Sequence, residues 1–69
     1  MTPTTTAIAA NLDVLADELT KAAQLAEMAC EAMHSGHQSQ AIGTVLPLEG
    51  ILPELSGLLA AAIALHRRR

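Results

Sequence analysis

An all-α helical hairpin is the fold class this sequence predicts, and three observations carry the prediction. The chain of 69 residues is 51% hydrophobic yet contains no Phe, Tyr or Trp. Its core must therefore be built from Leu, Ile, Val, Met and Ala, and Ala and Leu lead the helix-propensity ranking, while strand-favouring aromatic and β-branched residues are few. Apolar residues recur with heptad spacing from Ile8 to Met33, the repeat of packed helices. The polar stretch "SGHQSQA" then separates this segment from a second apolar one of similar length.

The first helix is expected over residues 5–34. Thr4 to Thr6, after Pro3, offer hydroxyls for an N-cap, and Gly36 offers a left-handed residue to end it. Between them Ile8, Leu12, Leu15, Leu19, Ala22, Ala26, Ala29 and Met33 are spaced 4-3-4-3-4-3-4. That unbroken seam winds helices into left-handed bundles. Its alanine half lets another helix approach closely, and Val14, Leu25 and Met28 widen the apolar face for two neighbours. Asp13, Asp17, Glu18, Lys21, Glu27 and Glu31 form a solvated, mostly acidic face, with Asp17 and Lys21 paired one turn apart.

Residues 35–43 are expected to be the connection, with a short helical turn through Ile42 as one form of it. The second helix is expected over 44–67, capped by Thr44 with Pro47 in its first turn, where a missing N–H is harmless. Pro53 predicts a kink or a break, since proline costs an interior helix ~3 kcal/mol. Leu55, Leu59 and Ala62 complete the seam from this side. The two helices would be about 43 Å and 36 Å long at 1.5 Å per residue, so their lengths match.

One domain, 1–69, follows from the length. A chain this short buries only about 60% of its unfolded surface, and the lone Cys30 cannot form an intrachain disulfide. Association is the remaining route to stability. Since one hairpin cannot cover two wide apolar faces, two hairpins are expected to pair as a homodimeric four-helix bundle.

Catalysis is not expected. Ser35, Ser39 and Ser56 have no base beside them in the sequence, and no glycine-rich phosphate loop is present. Glu49 and Glu54 read as first-turn carboxylates. Cys30, His34 and His37 are the only cluster with metal-ligand character, but a fourth ligand is missing. Cys30 reads instead as a small apolar residue and His34 as a cation at a helix C-terminus. No metal or cofactor is assigned.

Membrane insertion is not expected either. Val45 to Leu65 is long enough to span, but Glu49, Glu54, Pro47 and Pro53 interrupt it. The uninterrupted part, Leu58 to Leu65, covers about 12 Å of a ~30 Å hydrocarbon core. The N-terminus lacks the charged and apolar regions of a secretory signal, which with a single thiol points to the cytoplasm.

The final "HRRR" exceeds what a helix end needs, since each cation there stabilises by roughly 0.3–1 kcal/mol. Arginine grips carboxylates and phosphates bidentately. Leu58, Leu65, His66, Arg67, Arg68 and Arg69 are therefore the expected partner-binding set. A net charge of −3 makes nucleic acid an unlikely default partner. The alternatives are a DNA-binding or toxin-neutralising regulator that uses these arginines, and a chaperone that shields a secretion subunit's helix.

With "TTTAIAANLDVLADEL", "LEGILPELSGLLAAAIAL" and "HRRR", the chain resembles the small anti-host proteins of Pseudomonas phages. The resemblance implies a homodimeric helical protein of the host cytoplasm that sequesters host proteins. The targets it implies are a quorum-sensing transcription activator, kept from DNA, and a pilus-assembly ATPase.

Overall fold

Pro3 opens the long helix of the hairpin. In the computed structural model, which describes residues 2–68, helix α1 runs Pro3–His34, two residues longer at its start than the threonine run predicts. Proline at the first helical position lacks only an N–H that would have no partner there. Thr2 is consequently the N-cap, its side-chain oxygen accepting from the Thr5 N–H at 3.1 Å.

The other end closes as the glycine predicts. Gly36 has φ +82°, its N–H donates to the Met33 carbonyl at 3.0 Å, and the His37 N–H donates to the Ala32 carbonyl at 2.8 Å. This pair of bonds is the Schellman arrangement, which satisfies carbonyls that the helix end leaves open.

The connection is shorter than 35–43. Helix α2 occupies Gln38–Val45, because no breaker follows Gly36 before Gly43 and Gln and Ala are good helix formers. It buries Ala41 against Ala29 and Ala32, with Val45 packed alongside. Four small or branched side chains bring the two helices close at this end.

Helix α3 is Leu48–Arg67, with Pro53 inside it. The regular helix is interrupted at Leu46–Pro47, between α2 and α3, whereas at Pro53 it runs on without a break. Pro47 cannot donate to the ladder, and the hydrogen bonds resume through Glu49 to the Leu46 carbonyl at 3.1 Å and Ile51 to the Pro47 carbonyl at 3.1 Å. Pro53, six residues into the new helix, removes one further bond and leaves the helix continuous.

The return arm lies antiparallel along α1, giving an all-α hairpin whose second arm is bent; the described residues contain no strand. The line of α1 turned toward that arm is 8, 11, 15, 18, 22, 25, 29 and 32, and it meets Leu48, Ile51, Leu55, Leu58, Ala62 and Leu65. The expected dimer and core seam divides between the two sides of this line. Ile8, Leu15, Ala22 and Ala29 face the return arm, but Leu12, Leu19, Ala26 and Met33 are exposed, and so is Leu59. A heptad row can be flanked on either side, and the turn at Gly36 selects one side by delivering α2 onto Ala29 and Ala32.

The core that results is thin. Its buried members are Ala22, Ala29, Ala32, Ala41, Leu55 and Ala62, so Leu55, 5% exposed, is the only large one. The hairpin measures 52 × 18 × 12 Å, a slab one helix thick. Its surface of 5107 Å² exceeds the roughly 4,100 Å² that a folded monomer of 7.2 kDa exposes on average.

Candidate interaction faces

Next to the contact line, α1 carries a second complete heptad row. Positions 9, 12, 16, 19, 23, 26, 30 and 33 are Ala, Leu, Ala, Leu, Ala, Ala, Cys and Met, spaced 3-4-3-4-3-4-3 without a polar member. Leu12, Leu19 and Met33 are 45%, 47% and 49% exposed. None of the acidic residues of α1 falls on this row: Glu18 is half-buried on the contact line, and the others lie on the outer and opposite sides of the helix.

Helix α3 continues the same face. One step along a right-handed helix turns about 100°, so the residue after each contact residue swings to one side. In two antiparallel helices that face each other, those swings go to the same side of the common plane. Leu12, Leu19, Ala26 and Met33 follow contact residues on α1, and Leu52, Leu59 and Ile63 follow Ile51, Leu58 and Ala62 on α3. Together they make one largely apolar face along the slab, with Glu49, Ser56 and His66, which follow Leu48, Leu55 and Leu65, as its polar members on α3. Toward the bend it deepens into a cleft of about 420 Å³ in which Ala26, Cys30 and Met33 of α1 oppose Ile42 and Val45 of α2.

The opposite side of α1 is mixed, its charges flanked by the exposed Val14 and Met28, which share a heptad row with Lys21. Lys21 Nζ lies 3.2 Å from Asp17 Oδ2, the pair expected one turn apart, and 3.3 Å from Glu18 Oε1. The Asp17 hydrogen bond, then that of Glu18, holds the lysine above its ordinary value of 10.5. Because these groups are exposed, the pairs contribute little to stability.

The expected partner-binding set separates into two groups. Leu58 and Leu65 are half-buried against α1, whereas His66, Arg67 and Arg68 are exposed at the open end of the hairpin. Arg69 lies outside the described residues. Arg67 and Arg68 border a shallow recess of about 440 Å³ with Ala60, Ile63 and Ala64. These three residues were not in the expected partner-binding set, although 60/63 and 64/67 are three apart and 60/64 and 63/67 four apart, the spacing of one side of a helix. A second recess, about 480 Å³, opens between Thr2, Thr5 and Ile8 of α1 and Leu65, His66 and Arg68.

Among the described residues no three His, Cys, Asp or Glu side chains converge as a metal site would require. Cys30 is exposed on the apolar row, and His34 stands in the last turn of α1. Glu49 is in the first turn of α3, the favourable end for a carboxylate. By length and composition the α2–α3 arm, Gln38–Arg67, is apolar enough to cross a membrane; in this fold it is bent and laid along α1. Comparison with protein-family models, curated proteins and solved structures returns no match.

Proposed function

We propose that this chain is a non-enzymatic protein-binding hairpin that pairs with itself in the cytoplasm and inhibits larger host proteins by covering their surfaces. The observation that carries the reading is the largely apolar face shared by α1 and α3, on which Leu12, Leu19, Met33, Leu52, Leu59 and Ile63 all stand exposed, more than a chain of this size leaves open without a use. The arginine-bordered recess at the end of α3 is the second element. Ala60, Ile63 and Ala64 supply apolar contact there, and Arg67 and Arg68 grip carboxylates at its edge. The resemblance to phage anti-host proteins makes a quorum-sensing transcription activator and a pilus ATPase the first clients to try.

Affinity capture from host lysate at two salt concentrations tests the proposal, with the wild type run beside Arg67→Ala/Arg68→Ala. The expected result is stoichiometric recovery of one or two regulators or ATPases by the wild type at both salts, and their loss by the variant with its melting temperature unchanged. Nucleic acid recovered at low salt alone would instead mark a DNA-binding regulator, whose affinity falls steeply with salt. Recovery of a single small secretion subunit would mark a chaperone.

A further inference from the structure

We infer that the occupant of the apolar face is a second copy of this chain, with its α1 laid antiparallel on the first α1 so that paired positions sum to 42. The inference rests on the self-pairing proposed above and specifies its face, direction and register.

Area is the first support. The broad side of the slab, 52 by 18 Å, projects to about 900 Å², enough to supply the roughly 800 Å² each partner contributes to a stable complex. It is also close to the surplus surface of the free hairpin.

Self-complementarity is the second. About a midpoint at residue 21, the antiparallel register sets Leu12 against Cys30, Leu19 against Ala23 and Met33 against Ala9. Each large side chain meets a small one. Ala16 against Ala26 is the single layer of two small residues, where the backbones come closest. A twofold axis makes every one of these contacts twice. A parallel pairing stacks Leu12 on Leu12 and Leu19 on Leu19 and leaves alanine facing alanine between them, which knobs-into-holes packing fills poorly.

The return arm agrees with the same axis. Ile8 neighbours Leu65 and Ala32 neighbours Ala41, so positions across the hairpin sum to about 73 and residue 21 lies opposite Leu52. The axis then sets Leu52 on its own copy and Ile63 near Ile42 of the partner subunit, apolar against apolar. Glu49, the carboxylate on this side of α3, comes opposite Ser56 of the partner subunit. At the outer rim of α1, Asp13 comes beside Glu27 of the partner subunit.

Sedimentation together with oxidative cross-linking tests the inference, using the full chain. Wild type is expected at twice 7.2 kDa and not cross-linked, since the antiparallel register holds the two Cys30 residues about 27 Å apart at 1.5 Å per residue. Leu12→Cys, which keeps the native Cys30, is expected to convert almost completely to covalent dimer under the same oxidant. Leu12 is half exposed in the hairpin, so the variant keeps its fold, as unchanged helical circular dichroism verifies. A dimeric wild type that cross-links through Cys30, with no gain from Leu12→Cys, overturns the register while self-pairing stands. A monomer at all concentrations overturns self-pairing as well. Flotation of the wild type with phosphatidylcholine vesicles would show lipid, not a second copy, covering the face.

Discussion

At Gly36 the backbone adopts a left-handed φ of +82° with open space where a Cβ would stand. The cost of Gly36→Ala is therefore backbone strain alone, roughly 1–2 kcal/mol, read as a lowered urea midpoint. Gly57 stands in the middle of α3, also with open space around it, and Gly57→Ala is expected to stabilise by about 0.5–1 kcal/mol. Opposite shifts from the same substitution separate the two uses of glycine. Among the described residues Leu55 holds the only large buried side chain, so Leu55→Ala is expected to cost about 2–5 kcal/mol, enough to unfold so small a domain. Leu59→Ala, at a half-exposed site, leaves an undimerised hairpin almost unchanged in thermal unfolding at high dilution. For Lys21 the raised pKa means that its ion pairs contribute fully below about pH 10.5 and are lost as pH rises through the higher folded value. Helix content between pH 9.5 and 11.5 should fall slightly in wild type and not in Lys21→Gln.

Among the elements, the sequence made α1 and its C-terminal turn legible because capping and heptad signals agree there. The position of the bend was less legible. Pro47 and Pro53 look alike in sequence, but Pro47 falls where α2 is ending and Pro53 six residues into a helix already restarted. Pro53→Ala is accordingly expected to raise the melting temperature by restoring a bond to the Glu49 carbonyl, and to leave the bend at Leu46–Pro47; circular dichroism and amide exchange at Glu49 to Leu52 check the two parts. The polar "SGHQSQ" masked the full extent of α2 beyond the expected turn through Ile42, because its inward residues, Ala41 and Val45, carry little periodic signal over so short a segment. The seam was half legible for a geometric reason. Ile8, Leu15, Ala22 and Ala29 are common to two heptad rows, and the row with Leu12, Leu19 and Met33 is the more apolar by sequence. The hairpin packs the other row, with Asn11 and Glu18 at its edge, since the Gly36 turn fixes the side on which the chain returns. The same selection explains why Leu58 and Leu65 were read as outward-facing when Leu59 and Ile63 are.

As a whole molecule the hairpin is a two-sided slab, apolar on one side and acidic over much of the rest. Two copies paired through the apolar side bring Asp13 near Glu27 of the partner subunit, and salt screens that repulsion. The dimer is thus expected to tighten between 50 and 300 mM salt, and Glu27→Lys to tighten it several-fold at the low end, as sedimentation equilibrium would report. Contacts through Arg67 and Arg68 weaken with salt, so the two associations move in opposite directions. A core of five alanines and one leucine leaves a solitary hairpin with little to hold it folded, and whatever binds only the folded form adds stability by mass action. The folded population then depends on how many chains a cell holds. Sparse chains are left open to proteases, while a burst of synthesis protects its own products, giving the protein a threshold in abundance below which it has no effect.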